Sequence, residues 1–375
     1  MTVLAGARVV TPQRILTPGW VEVENGRITY VGDEPPPSGA SDVVDLGGPA
    51  WLLPGFVDLH MHGGGGADVT KGADDMAAAV AYHRTRGTTS TLVSLMAQPV
   101  EAMCEQLSWA ADLTRSGEIA GVHLEGPFLA AARCGAQRPE SLLAPDLLVL
   151  CKLLEAGQGC VRTVTLAPEL PGALDLIAEL AATGVVAAIG HTDATYEQAA
   201  AGFGAGATLA THLFNAMGSF NHREPGPSVA ALDAGAFVEM INDGHHVHDA
   251  LLRLVARSAG RSIAFITDAI SATGVGDGTY TLGEQGVVVQ GGAARLEGSS
   301  RLAGSTLTMD EAVRRAVLNL GLGIDLAAAA AATNPAQVIG LGDRTGALAA
   351  GLDADLVVLD DDLAITRVMR RGNWL

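Results

Sequence analysis

The stretch PGFVDLHMHGGGG, residues 54 to 66, decides how the rest of the chain is read. A short apolar run, Phe56 to Leu59, has the composition of a buried β-strand, and it ends in two histidines one residue apart. Successive side chains of a strand alternate between faces, so His60 and His62 share one face. Two imidazoles leaving a strand end side by side can ligate a metal, or can be ordinary polar packing. The four glycines that follow are expected to let the backbone approach a metal or a substrate closely.

Further along, seven more apolar runs of β type appear: TSTLVSL, IAGVHLEG, VRTVTLAPE, VVAAIGHT, ATLATHLFNA, FVEMINDG and SIAFITDA. Helical stretches separate most of them. In one, DDMAAAVAYHRTRG, Met76, Val80 and His83 fall on one stripe and Gly87 stands at a C-cap position. Eight βα units predict a (β/α)8 TIM-like barrel. An open doubly wound sheet is the alternative, and it is disfavoured because no glycine-rich nucleotide fingerprint opens a helix after the first strand. Near the start, WVEVENGRITYVG holds two alternating runs around Asn25-Gly26, a hairpin signal; the C-terminal DADLVVLDDDLAITRVMRRGNWL also reads as short strands and turns. Neither end could bury a core alone, so a small β-sandwich domain built from both is expected. The expected boundaries are 1–53 and 344–375 for that domain and 54–343 for the barrel.

Composition limits the function. The 375 residues are 48% hydrophobic, which suits a globular protein of more than one domain. With 41 acidic against 23 basic residues, the net charge is -18. That balance argues against a nucleic-acid partner, and it requires a local positive centre for any anionic substrate. No basic-flanked apolar leader and no apolar run of bilayer length appears, so no membrane partner is expected. Cys104, Cys134, Cys151 and Cys160 form no CxxC pair. A reducing cytoplasm is the expected location.

Catalytic side chains of such barrels lie at the C-terminal ends of the strands. There the first run carries His60 and His62, the third Glu125, the fifth His191, the sixth His212 and the eighth Asp268. Imidazole and carboxylate donors suit Zn²⁺ and related divalent ions, one or two per subunit. Such an ion lowers the pKa of a bound water toward about 7, and Asp268 is placed to accept and return the water proton. Read singly, Asp268 could cap a turn. His123 shares a face with Glu125 and reads as a supporting partner or a core residue, while His83 and His248 read as helix or loop surface.

These residues, with GVHLEGPFL, IGHTDATYEQA, THLFNAM, REPG, INDGHHVH, ITDAISATG, LAGSTLTMDEAVR and TNPAQVIGL, resemble the amidohydrolase superfamily and, within it, the N-acetylglucosamine-6-phosphate deacetylases. The resemblance implies removal of the acetyl group from a phosphorylated amino sugar. It implies that Glu125, His191 and His212 hold the main ion, that His60, His62 and Asp268 hold a second, and that Asp268 is the acid/base. It further implies that His246 contacts the substrate and polarises its carbonyl. Ala136, Asn215, Ala216 and Leu302, Ala303 and Gly304 are implied substrate contacts, and Arg223 a phosphate ligand that a homodimer partner can supply. Two positions depart from the family pattern: Gln137 stands where a histidine is expected and Cys134 where a basic residue is common. A cyclic-amide hydrolase or deaminase is disfavoured because the fourth run lacks a bridging lysine. A non-catalytic scaffold is disfavoured because all six donors are present.

Overall fold

The eight apolar runs form a single eight-stranded sheet in chain order. In a computed structural model describing residues 1–36 and 42–375, its strands are β1 (Phe56–Asp58), β2 (Thr88–Met96), β3 (Gly121–Glu125), β4 (Val161–Leu166), β5 (Val186–Ile189), β6 (Leu209–Ala210), β7 (Phe237–Ile241) and β8 (Ile263–Ile266). From β2 to β8 each strand pairs in parallel with the next. The ring closes just past β1 and β8, where Met61 and Ala269 form a parallel bridge. At this seam Asp268 N–H donates to His60 O and His62 N–H to Ala269 O, each at 2.8 Å. The segments that join the ends of the barrel therefore also carry three of the candidate donors. Helices such as Val100–Ser116 and Ala173–Thr183 follow individual strands and bury one stripe each: Met103, Leu107 and Ala110 in the first, Leu176, Ile177 and Leu180 in the second.

The chain ends build the small β domain. Its strands, Thr2–Val10, Ile15–Glu24, Arg27–Gly32, Val43–Asp45 and Trp51–Pro54, share one sheet with Leu356–Leu359, Ile365–Arg370 and Asn373–Trp374. The two ends join where Trp51–Pro54 pairs antiparallel with Leu356–Leu359. Asn25 and Gly26 have φ of 51° and 78°, the left-handed pair that a type I′ hairpin requires. Leu4, Val9, Val21, Leu52, Leu356 and Val358 form its core. By packing, the chain divides into two compact units, one of Met1–Asp58, His83–Ser90 and Thr308–Leu375, the other of Leu59–Tyr82 and Thr91–Leu307.

One expectation is corrected. His83 is not on the surface: it is 1% exposed, on the buried stripe of helix Ala73–Thr85. The glycine run builds a turn. Gly63–Gly64 pairs with Ala67–Asp68 in a tight hairpin whose turn, Gly65-Gly66, has φ of 60° and 91°. Gly65 and Gly66 N–H donate to Thr273 and Ser271 carbonyls at 2.8 Å, so the glycines serve a turn packed on the loop after β8. That loop leads into an unanticipated antiparallel sheet of Gly278–Leu282, Gln285–Gln290 and Ala293–Leu296.

No helix among the described residues is long and apolar enough to cross a membrane.

Candidate metal centre

All six donors gather at the carboxyl ends of the barrel strands, in two groups. His60, His62 and Asp268 make one and Glu125, His191 and His212 the other, with the ligand atoms of each group within 4.8 Å of one another. All six residues are buried. Glu125 ends β3, and His60 and His62 follow β1; the other three follow β5, β6 and β8. Those last three share an unusual backbone. His191, His212 and Asp268 have φ of 47°, 28° and 50°. A left-handed residue without glycine's freedom costs on the order of 1 kcal/mol, and such strain gathers at functional sites. Here it turns each side chain from its strand end inward.

The hydrogen bonds behind the rings fix which nitrogen faces the centre. His62 Nδ1 lies 3.0 Å from Ser94 O and His191 Nδ1 2.9 Å from Arg133 O. A carbonyl only accepts, so both rings carry the proton on Nδ1 and present a lone pair on Nε2. His60 Nδ1 faces Glu239 Oε2 at 3.4 Å. In front, the Nε2 atoms of His60 and His62 are 3.0 Å apart, and those of His191 and His212 3.1 Å apart. Lone pairs that close repel unless a proton or a cation lies between them, and ligand imidazoles backed by carbonyls and carboxylates are the usual setting of a metal. The donor set thus fits a divalent ion in each group.

Electrostatics agree. Burial depresses the pKa of His60, but Asp268, Glu125 and Glu239 outweigh it and push the ring up to about 10. Burial raises Glu125, yet His60, His191 and His212 hold it well below the ordinary carboxylate range. Asp268 is likewise lowered, by His60 and His62 against burial. Cationic charge is what these carboxylates call for; a bound ion supplies it and displaces a proton. His123 is driven well below its ordinary value by burial and by His60. It stays a neutral buried ring between Ser94 Oγ at 3.0 Å and Thr165 Oγ1 at 2.7 Å.

Above the donors lies a cavity of about 510 Å³. Its lining includes Ala136, Asn215, Ala216, His246, Leu302 and Gly304, together with His62, Glu125, His191, His212 and Asp268. His246 Nδ1 donates to Asp243 Oδ2 at 2.7 Å, and the pair is nearly buried. Burial lowers the pKa of His246, but this bond and the Asp243 charge raise it overall. Other expected contacts stand apart. Ala303 is 1% exposed and packs with Met96, Ile270 and Ala272. Arg223 is exposed, in the segment between β6 and β7, and is not among the lining residues. His248 is exposed and caps helix Asp249–Ala259 by accepting from Ala250 N–H.

The reading of the sequence passed over four residues here. Arg133 and Arg301 are among the lining residues; the Arg133 guanidinium pairs with Asp193 at 2.8 Å, and Arg301 Nη1 donates to Gly135 O at 2.9 Å. Gln137, treated only as a departure from pattern, is 2% exposed and donates to Glu125 Oε2 at 2.7 Å. Glu239, 1% exposed, supports both His60 and the His212 backbone N–H. Its signal was available, since a carboxylate inside the buried run FVEMI needs a partner.

Residues 51–375 match the model of the Amidohydrolase family. The N-acetylglucosamine-6-phosphate deacetylase of Bacillus subtilis (strain 168) is 36% identical over 376 residues, covering 97% of this chain and 94% of its own. An N-acetylgalactosamine-6-phosphate deacetylase of Escherichia coli O157:H7 is also 36% identical, covering 97% and 98%. Among solved structures, an aspartate-to-alanine mutant of N-acetyl-D-glucosamine-6-phosphate deacetylase from Mycobacterium smegmatis, in complex with N-acetyl-D-glucosamine-6-phosphate, superposes with a TM-score of 0.95. It is 46% identical, with 100% of this chain and 98% of that one covered.

Proposed function

This chain belongs to the amidohydrolase family, and from that premise we propose that it is a metal-dependent hydrolase. It removes the acetyl group of N-acetylglucosamine 6-phosphate, giving glucosamine 6-phosphate and acetate. The observation that carries the reading is the convergence of six buried donors from five strand ends, five of which line one cavity while His60 lies buried behind them. The substrate follows from the relatives, which are named as deacetylases of hexosamine phosphates.

Glu125, His191 and His212 would hold the main ion, and His60, His62 and Asp268 a second. Zn²⁺ is the ion we propose, since imidazole and carboxylate donors suit it. When bound, a divalent ion lowers the pKa of water and polarises an amide carbonyl. The chain's own groups do the rest. Asp268 Oδ1 faces His62 and His60 Nε2 at 3.3 and 3.5 Å, which leaves Oδ2 to take the water proton and pass it to the departing amine. His246, with Nδ1–H committed to Asp243, donates from Nε2 in its cationic form to the oxygen that gains charge. Asn215, Ala216, Ala136, Leu302 and Gly304 shape the sugar pocket, with Ala303 packed behind them. Arg301 offsets the acidic field around a phosphate. Arg223, exposed here, reaches the phosphate of a second copy in a homodimer. The enzyme works in the cytoplasm, with residues 1–53 and 344–375 as its small β domain and 54–343 as its barrel.

Acetate release from N-acetylglucosamine 6-phosphate, its galacto epimer and the unphosphorylated sugar tests this. A strong preference for the phosphorylated gluco sugar is expected; equal rates with and without phosphate would remove the substrate assignment.

A further inference from the structure

One buried amide beside the donors has no part in that chemistry. Gln137 lies in the loop after the short helical turn Ala131–Arg133, its backbone N–H donating to Cys134 O at 2.9 Å. Its side chain spans two partners: Ala97 N–H donates to Oε1 at 2.8 Å, and Nε2 donates to Glu125 Oε2 at 2.7 Å. Both ends dictate the orientation, since a backbone N–H requires the amide oxygen and a carboxylate requires the amide N–H. The other carboxylate oxygen, Oε1, is the one that meets His191 Nε2 at 2.9 Å and His212 Nε2 at 3.1 Å. The second donor group stands further off, with His62 Nε2 3.5 Å from Oε2 and His60 Nε2 3.5 Å from Oε1.

We propose that Gln137 is a positioning residue for Glu125: its amide holds Oε2 and so turns Oε1 toward His191 and His212, the donors of the main site. The inference rests on the metal-dependent reading above. Glu125 lies between the two groups, so without a restraint it could turn either oxygen to either one. A short, charge-assisted hydrogen bond fixes its rotation. The two groups then differ in strength, the first site filling before the second. Because an amide does not titrate, the restraint holds across the working pH range.

The test uses the full chain, stripped of metal with a chelator and titrated with Co²⁺, whose visible absorption reports its coordination. The wild type should fill in two steps of unequal affinity. Q137M, close in shape but without donor or acceptor, should weaken the first step by about 10- to 100-fold and change the Co²⁺ spectrum. First-step affinity and spectrum unchanged in Q137M would overturn the proposal. A drop in the thermal midpoint of the metal-free variant, with Co²⁺ binding unaltered, would do the same, leaving Gln137 as a loop anchor only. A wild type that takes up no stoichiometric Co²⁺ would overturn the metal-dependent reading itself, a distinguishable failure. Should Q137M not fold, a crystal structure of the Co²⁺-loaded wild type decides: Oε1 on the ion with Oε2 bonded to Gln137 supports the assignment, and a Glu125 carboxylate that has left Gln137 overturns it.

Discussion

Replacing Asp243 by Asn probes the charge on His246. The carboxylate is fully used: Oδ1 accepts the backbone N–H groups of His245 and His246 at 2.8 and 2.9 Å, and Oδ2 accepts His246 Nδ1–H at 2.7 Å. An Asn in this place must keep its oxygen toward the two backbone donors, because an NH2 group there would face two N–H groups. Its NH2 then points at His246 Nδ1, which becomes an acceptor, and the ring is neutral with its proton on Nε2. A donor remains, but its charge is gone. Hydrogen bonds to charged groups contribute about 1.5–3 kcal/mol and neutral ones about 0.5–1.5. The lost difference, about 1 to 1.5 kcal/mol, predicts a roughly 5- to 13-fold fall in kcat/KM.

The pH dependence has a definite sign. His246 is raised above 6.5, so the wild type should lose activity as pH rises through that raised value, and D243N should lack this limb or show it at lower pH. The pair also bears on stability. Burial, the largest influence on Asp243, works upward, but His246 and the two backbone donors outweigh it and lower the carboxyl below 3.8. The Asp243 contribution is present above 3.8 and lost as pH falls through the lowered value. The His246 contribution is present below 6.5 and lost as pH rises through the raised one. The gap in thermal midpoint between wild type and D243N should therefore be widest between pH 3.8 and 6.5 and shrink above it. Unchanged kcat/KM with an unchanged alkaline limb would refute the cationic role of His246.

Three other outcomes are expected. Asp268→Asn, which tolerates the left-handed backbone at φ 50°, should abolish turnover while keeping most bound metal by elemental analysis; an active variant would mean that another group moves the proton. Gly135→Ala should weaken metal binding, because the added Cβ would lie 2.9 Å from His191 Cε1 at a φ of 60°, and chelator competition measures the loss. Chelation should lower the thermal midpoint, since an ion present at 100 times its Kd stabilises the fold by about 2.7 kcal/mol; a midpoint indifferent to chelator would argue against resident metal.

The barrel was legible because its strands are buried on both sides and so read as continuous apolar runs; all eight coincide with strands. The Asn25-Gly26 hairpin was equally plain, for local chemistry determines it. Less legible were features that depend on distant partners. Gln137 meets Glu125 only when a loop folds back over β3, and nothing near Gln137 in sequence announces it. His83 shows the limit of residue type as a guide: its polarity suggested the surface, while its place on the Met76–Val80 stripe fixed its burial. The run of glycines at 63 to 66 suggested close backbone approach, and the φ values of Gly65 and Gly66 answer to a hairpin.

The backbone at His191, His212 and Asp268 carries a consequence for how the chain can vary. Only glycine, asparagine, aspartate and histidine adopt that conformation readily. Valine, isoleucine or threonine would be excluded there even if no ion were ever bound. Sequence drift at these three points is thus channelled by chain geometry before chemistry selects among the survivors. Invariance there, in any set of descendants, would record two filters and not one.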